Sequence, residues 1–186
     1  MNKKEKIIEI AADLIHEYGY NNIGLNRILE EANIPKGSFY YYFESKEDLA
    51  LQVIDYHIGC TKRVFEQFDK NYEGLKGFFD FYFTKFYELG YKRGCAIGNL
   101  IMELSDLKDS FRYKLLEWTN LLEEEIYEML KNSNIDEEID KKAMASFLVA
   151  CFEGVLLKTK LEKDPKSIKE FQNYVFNILI KNKGGQ

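Results

Sequence analysis

The chain has 186 residues, 46% hydrophobic and 15% aromatic, enough to bury one substantial core or a small head with a larger body. Its two prolines, Pro35 and Pro165, leave room for long helices, and the richness in Lys, Glu, Leu and Ile predicts an all-α fold. A net charge of −5 excludes a broad positive field, so nucleic-acid binding must depend on local geometry.

Targeting and redox signals both favour the cytoplasm. The opening residues mix charged and apolar side chains at helical spacing, unlike a secretory signal, and no run approaches the roughly 18 apolar residues of a membrane span. The three cysteines, Cys60, Cys95 and Cys151, are far apart in the sequence, which argues against a disulfide framework. We therefore expect a cytoplasmic protein.

Apolar periodicity and capping residues predict three helices in the first part of the chain. The first covers about residues 3–18 and ends at Gly19. The second is short and ends at Asn33, a residue that tolerates the left-handed conformation. Pro35 suits the start of the third, which carries the sequence KGSFYYYF.

The rest of the chain is also predicted to be helical. Ser45 and Asp48 form an N-cap pattern for a fourth helix, which can continue to Phe68. Five more helices are predicted over residues 74–91, 98–106, 109–132, 136–164 and 165–182. The total is about nine helices.

The second and third helices, joined by the tight turn ANIPKG, have the layout of a helix-turn-helix head. In that layout the first residues of the third helix face the DNA bases. Lys36 can reach a guanine edge or a phosphate, Gly37 allows the backbone to approach closely, and the Ser38 hydroxyl can bind a phosphate.

Three consecutive tyrosines, Tyr40, Tyr41 and Tyr42, follow on the same helix. Phe39 and Phe43 share one face and should be core. Adjacent residues on a helix point about 100° apart, so at least one tyrosine must be exposed. A tyrosine offers a ring to a thymine methyl and a hydroxyl to a phosphate. Ordinary core packing is the alternative, and the residue chemistry leaves both interpretations open.

The segment GLNRILEEANIPKGSFYYYFESKEDLALQVIDYH resembles the DNA-binding head of TetR-family transcriptional regulators. The resemblance covers roughly residues 5–55. It departs from the family pattern at Asn33, where Gly is usual, and at Gly24, where Thr or Ser is common. It implies base reading by Lys36 and Gly37, and mainly phosphate binding by Ser38, Tyr40, Tyr42 and Lys46. Tyr41, on the same helix, is a further candidate DNA contact.

Family resemblance also implies an organisation for the chain. Residues 1–47 would form the helix-turn-helix domain, and residues 48–186 a ligand-sensing and dimerisation domain. The segments AMASFLVACFEGVLLKTKL and SIKEFQNYVFNILI would form the homodimer seam. Such a regulator, a repressor in our interpretation, binds a palindromic DNA operator and is released by a small-molecule or electrophile effector.

Cys95, in the segment YKRGCAIGNLIMEL, is the candidate sensing residue. A thiol near cationic side chains and a helix N-terminus should be more nucleophilic. The segment is similar to the TetR regulators that respond to reactive electrophiles, and to acrylate sensors with a related body. That resemblance gives Lys160, or as second choice Lys158, as partner of the cysteine. The alternatives for Cys95 are a small buried hydrophobe or a non-covalent pocket contact.

Several aromatic residues could line an effector pocket, although ordinary core packing is favoured for the first three. The pocket candidates are Phe78, Tyr82, Phe86, Tyr113 and Trp118. Cys60 and Cys151 lie in apolar segments and are predicted to be core.

The sequence does not favour an enzyme. His16 and His57 are its two histidines, and neither is beside a cysteine or at a metal-ligand spacing. We therefore predict no catalysis, no cofactor and no metal ion. A helical ligand-binding or interaction module that does not act on DNA is the alternative function. Salt-dependent, sequence-specific operator binding separates it from a repressor.

Overall fold

The computed structural model describes residues 2–183, and the regular structure in that range is helical throughout. The predicted all-α class is therefore confirmed. The helices, in chain order, are α1 Lys3–Tyr18, α2 Leu25–Ala32, α3 Lys36–Tyr42, α4 Lys46–Phe65, α5 Tyr72–Glu88, α6 Ala96–Leu104, α7 Asp109–Lys131, α8 Lys141–Glu162 and α9 Lys166–Tyr174. A π-helical turn, Val175–Leu179, follows α9. No helix within the described range is long and apolar enough to cross a membrane.

The ends of the first helices follow from local chemistry. Asn2 and Glu5 form a reciprocal capping box at the start of α1, with both hydrogen bonds at 2.9 Å. Asn33 ends α2 in the left-handed conformation, with φ 56° and ψ 46°. The Ser45 hydroxyl accepts a hydrogen bond of 3.1 Å from the Asp48 N–H and caps α4. These three boundaries confirm the predictions made for α1, α2 and α4.

Several later boundaries differ from the prediction. Helix α5 spans Tyr72–Glu88 rather than 74–91, and α6 spans Ala96–Leu104 rather than 98–106. Helix α4 ends at Phe65, not Phe68. Helix α8 begins at Lys141 rather than at residue 136, because the Asp140 carboxylate caps its N-terminus. This carboxylate accepts hydrogen bonds from the N–H groups of Lys142 and Ala143, at 3.0 and 3.1 Å. The last predicted helix is α-helical only to Tyr174. Beyond it the Ile180 N–H donates to the Val175 carbonyl at 2.9 Å, the wider π-helical bond.

The chain divides into two compact units, and both are discontinuous in sequence. Unit 1 contains the chain up to Thr61 together with Ala96–Trp118, and unit 2 contains Lys62–Cys95 together with the chain from Thr119. The predicted domain boundary between residues 47 and 48 stays a prediction.

Unit 1 has a core formed by the apolar faces of its helices. The Trp118 indole N–H donates a buried hydrogen bond of 3.0 Å to the Thr61 hydroxyl. The one hydrogen-bond donor of this buried side chain therefore has a partner. The largest fully buried apolar side chains of the unit include Ile7, Ile23, Ile28, Phe39, Phe43, Leu49, Ile54 and Ile97. Short helices that could not stand alone in water are stabilised by this shared burial.

Unit 2 has an aromatic core. The rings of Phe65 and Phe78 stack with centroids 4.0 Å apart. Phe79 packs against Phe152 of α8 at 5.5 Å and against Phe171 of α9 at 5.0 Å. These contacts fix α8 against α5, and α8 carries the side chains that face the segment ending at Cys95.

His57 of α4 lies near His16 of α1 in unit 1. Burial, together with a smaller effect of the nearby His16, lowers the pKa of His57 from 6.5 to about 4. The folded protein therefore binds fewer protons at His57 than the unfolded chain does between those two pH values. Stability must fall as the pH drops through that window.

We predict that His57→Phe, which keeps the ring packed against Tyr56 at 5.6 Å, reduces the acid sensitivity of the protein. Between pH 7 and pH 4.5 the wild type should lose about 2–3 kcal/mol of unfolding free energy more than the variant. Urea unfolding at the two pH values measures this difference. Equal losses in the two proteins would show that His57 is not buried in its neutral form.

Candidate DNA-binding surface and sensor site

Helix α3 is held in place by two buried phenylalanines and displays tyrosines to solvent. Phe39 and Phe43 are buried, and their rings stack with centroids 5.3 Å apart. Tyr40 is 65% exposed and Tyr41 84% exposed, whereas Tyr42 is half-buried beside Tyr41 at 4.9 Å. Both predictions for this segment, that the phenylalanines are core and that at least one tyrosine is exposed, are confirmed.

The first turn of α3 is open to solvent. Lys36 and Gly37 are exposed, and Ser38 is half-buried with its N–H donating to the Pro35 carbonyl at 2.9 Å. A Cβ added at Gly37 would have nothing within 4 Å. Glycine costs an exposed helix roughly 1 kcal/mol relative to alanine, and no neighbour in the described structure requires it. Close approach of another molecule to the backbone would explain why glycine stands at position 37.

Lys46, at the start of α4, already has partners within unit 1. Its Nζ donates to the Tyr20 carbonyl at 2.6 Å and lies 4.2 Å from the centroid of the Tyr20 ring. Burial lowers the pKa of Lys46, and the charge of Glu103 opposes that effect. A phosphate contact by Lys46 would have to share or replace the Tyr20 carbonyl.

Sequence reasoning missed Glu103, which fastens α6 to the turn between α1 and α2. Its carboxylate accepts hydrogen bonds from the N–H groups of Tyr20 and Asn21, at 3.2 and 3.0 Å. Gly19 has φ 86°, and a Cβ there would lie 2.9 Å from a carboxylate oxygen of Glu103. The positive φ favours glycine, and a side chain here would also crowd the Glu103 carboxylate. Gly19 was the sequence signal for the turn, but nothing in the sequence paired it with Glu103.

Charged contacts join α7 to α4 in the same unit. Lys108, just before α7, forms an ion pair with Glu47. Lys114 of α7 forms one with Asp55 at 3.1 Å. Together with Glu103, these contacts attach α6 and α7 to α4 and to the turn between α1 and α2.

In unit 2, the Cys95 thiol lies against a carboxyl group of α8. Cys95 is half-buried, and its side chain is a hydrogen-bond partner of Glu153. Burial raises the pKa of Glu153, and the hydrogen bond with Cys95 acts in the opposite direction. The Oε1 atom of Glu153 is buried without a hydrogen-bond partner. This carboxyl group was not predicted from the sequence.

The loop that leads to Cys95 has an unusual backbone. Tyr91 and Arg93 have φ values of 54° and 67°, in the left-handed region that side chains other than glycine rarely occupy. Two lysines from the end of α8 hold the loop. The Lys160 Nζ donates to the Arg93 carbonyl at 3.1 Å, and the Lys163 Nζ to the Tyr91 carbonyl at 2.7 Å.

The two lysine candidates differ in position. The structure brings Lys160 to the loop of Cys95, where it binds a backbone carbonyl. Lys158 is exposed, forms an ion pair with Glu162 at 3.8 Å, and lines a separate groove between α8 and α9. These contacts place Lys158 at the groove and not at the loop that leads to Cys95.

The aromatic pocket candidates are divided between the two units. Phe78 and Phe86 are buried in unit 2, and Tyr82 is half-buried with its ring 5.0 Å from that of Phe78. In unit 1, Trp118 is buried and Tyr113 is exposed. Phe78, Phe86 and Trp118 are therefore core residues of their units.

A groove of about 340 Å³ lies along α8 and α9. Cys151 is half-buried in its wall, and burial raises the pKa of its thiol. Gly154 also lines the groove, and a Cβ added there would have nothing within 4 Å. Cys60, on α4, is half-buried as well. Around the groove and along these last elements, the large apolar side chains exposed to solvent are Phe147, Leu157, Leu161, Tyr174, Ile178 and Leu179.

Comparisons with known proteins identify both halves of the chain. Residues 7–53 match the family "Bacterial regulatory proteins, tetR family", and residues 72–175 match "Tetracyclin repressor-like, C-terminal domain". The HTH-type transcriptional repressor DhaR of a Mycobacterium species is 29% identical over 95% of this chain and 92% of its own. The transcriptional regulator AcuR of Cereibacter sphaeroides is 30% identical over 90% of this chain and 80% of its own.

Solved structures agree with the fold. The crystal structure of reduced NemR from Escherichia coli covers 99% of this chain and all of its own, with a TM-score of 0.82 and 23% identity. A regulatory protein TetR from Rhodobacter sphaeroides has a TM-score of 0.83 and 27% identity, over 91% of this chain and 94% of its own.

We predict that Glu103→Gln lowers the unfolding free energy by roughly 1–3 kcal/mol, because an amide loses the charge and points N–H groups at backbone donors. Glu117→Gln is the matched control. Glu117 is an exposed partner of Lys114 at 2.9 Å, and its loss should cost less than about 1 kcal/mol. Urea unfolding of both variants measures the difference. Equal small losses would mean that the Glu103 contacts do not stabilise the turn.

Proposed function

The chain belongs to the tetR family of bacterial transcriptional regulators, and we propose that it is a homodimeric repressor released from its operator by an electrophile. It is a DNA-binding regulator with a helix-turn-helix region and a ligand-binding body. The proposal adds four points: the DNA contacts, the dimer seam, action as a repressor in the cytoplasm, and Cys95 as the sensing residue.

The exposed surface of α3 supports the proposed DNA contacts. Its first turn presents Lys36 and an unobstructed Gly37, and the exposed Tyr40 and Tyr41 follow. A lysine can contact a base edge, and tyrosine hydroxyls can bind phosphates. With a net charge of −5, affinity would depend on these local contacts rather than on the overall field.

Exposed apolar side chains along α8 and beyond α9 support the proposed homodimer. Leu157 is 69% exposed and Leu161 84% exposed, and Ile178 is 57% exposed. Gly154 leaves open space on the same helix, which would let a second helix approach closely. A palindromic operator requires two recognition helices one DNA turn apart, and a two-fold dimer supplies them.

The position of Cys95 carries the proposal for the effector. Cys95 is held by Glu153 and directly precedes α6 in the chain, and Glu103 of α6 holds the turn before α2. Covalent modification of the thiol would disturb its contact with α8. Through the chain connection to α6, the change would favour a conformation with unsuitable spacing of the recognition helices. Operator binding is then weakened, to an extent set by the difference in operator affinity between the two conformations.

We predict that Lys36→Ala weakens operator binding and relaxes base preference, whereas Tyr42→Phe weakens binding on all sequences. Gly37→Ala should also weaken binding, although it should raise the unfolding free energy by roughly 0.5–1 kcal/mol. Binding is measured by fluorescence anisotropy on operator DNA selected from random duplexes. Tyr113→Phe, at an exposed tyrosine of α7, is the control and should bind normally. Unchanged binding by the three α3 variants would refute the proposal that this surface of α3 contacts the operator.

We predict that limiting N-ethylmaleimide alkylates Cys95 first and releases the protein from its operator. Cys95→Ser should keep operator binding and lose the release, and Cys151→Ser, a half-buried thiol of α8, is the matched control that should keep both. Mass spectrometry identifies the modified cysteine, and anisotropy follows the DNA. If Cys95 reacts without release, or does not react, the effector is a reversible ligand rather than an electrophile.

A further inference from the structure

An acidic side chain contacts the Cys95 thiol. Glu153 of α8 is its hydrogen-bond partner, whereas Lys160, the expected partner, donates to the Arg93 carbonyl at 3.1 Å. An ionised carboxylate beside a thiol opposes formation of a resident thiolate, since two negative charges would then adjoin. Reaction at Cys95 therefore needs a route in which the thiol loses its proton as the new bond forms.

The thiol and the carboxyl group have the arrangement of a nucleophile with its base. A nucleophile activated in this way lies within hydrogen-bond reach of the group that takes its proton. One oxygen of Glu153, Oε1, is buried without a partner, so the carboxyl group is not committed to a structural ion pair through that atom. The fixed position of α8 against the aromatic core of α5 holds the base in place.

We propose that Glu153 is the general base that takes the proton from the Cys95 thiol as its sulfur adds to the β-carbon of an α,β-unsaturated carbonyl compound. This inference rests on the sensing role proposed for Cys95. The S–C bond forms as the C=C electron pair moves onto the carbonyl system and gives an enolate. Glu153 then returns the proton to the α-carbon. The product is a thioether, and the addition needs no oxidant, reductant or other co-reactant.

Charged groups on the elements around α8 have other partners. Lys160 and Lys163 donate to carbonyls of the loop before α6. Glu123 of α7 accepts from the Ser146 hydroxyl at 2.9 Å, and Asp80 of α5 accepts from the Gln172 amide at 2.6 Å. Burial raises the pKa of Glu153, which brings the acid closer to the pH at which proton exchange with a thiol is efficient.

The same step supplies a signal. A thioether has no S–H, so the alkylated cysteine can no longer donate to Glu153. The buried carboxyl group then loses a partner, which is unfavourable. The adjoining loop already holds Tyr91 and Arg93 in the left-handed region, so rearrangement of the loop would relieve strain as well.

The test measures the rate of Cys95 alkylation by N-ethylmaleimide between pH 5.5 and 9, in the full chain with Cys60 and Cys151 replaced by serine. Glu153→Gln should react at least roughly tenfold more slowly at pH 6–7 and approach the parent rate where the thiol ionises unaided. Glu153→Asp should react at an intermediate rate with the pH profile of the parent. Glu124→Gln, at an exposed carboxylate of α7, is the matched control and should leave the rate unchanged.

Two unfavourable outcomes are distinguishable. If Cys95 reacts in the parent protein and Glu153→Gln reacts as fast, or faster, with the same pH profile, Glu153 is not the base and the sensing role of Cys95 stands. If Cys95 of the parent protein does not react, the electrophile-sensing function fails, and this inference fails with it. Operator binding by each variant, measured before alkylation, shows that the protein is folded.

Discussion

The Glu103 carboxylate is the contact on which the arrangement of unit 1 depends. It satisfies two backbone N–H groups, of Tyr20 and Asn21, in a turn where no helix can satisfy them. Gly19 makes the approach possible because it has no Cβ and adopts a positive φ. Tyr20 in turn offers its carbonyl and its ring to Lys46. A single side chain of α6 thus positions the turn before α2 and, through Tyr20, the start of α4. In the chain, α2 and α4 flank α3, the proposed DNA-binding helix.

Local boundaries were predictable from the sequence when one residue determined them. Gly19, Asn33 and Ser45 ended or capped their helices as expected, since each signal acts within a few residues. The start of α8 was mistaken because apolar periodicity outweighed the Asp140 cap. The π-helical end of α9 depends on tertiary packing of Val175 and Phe176, which are both buried, and local periodicity does not report it.

Sites made by distant residues were less predictable. The resemblance named contiguous residues of α3 as candidate DNA contacts, and these contacts stay predictions. The burial of Phe39 and Phe43 followed from their spacing and is confirmed. The partner of Cys95 did not follow, because Glu153 reaches it through the packing of α8. A lysine was expected there and lies instead on a carbonyl of the preceding loop. The segment that leads to Cys95 is therefore a strained loop with lysines at its carbonyls and an acid at its thiol.

The contacts that Glu103 makes with the turn have a consequence for how such regulators diversify. They go to backbone N–H groups, so the side chains at positions 20 and 21 can change without loss of the bonds. A head with other base preferences could be grafted onto this body if it keeps a glycine at the position of Gly19 and the same turn backbone. The chain would then couple a new operator to an old effector, and evolution could separate the DNA that is read from the compound that is sensed.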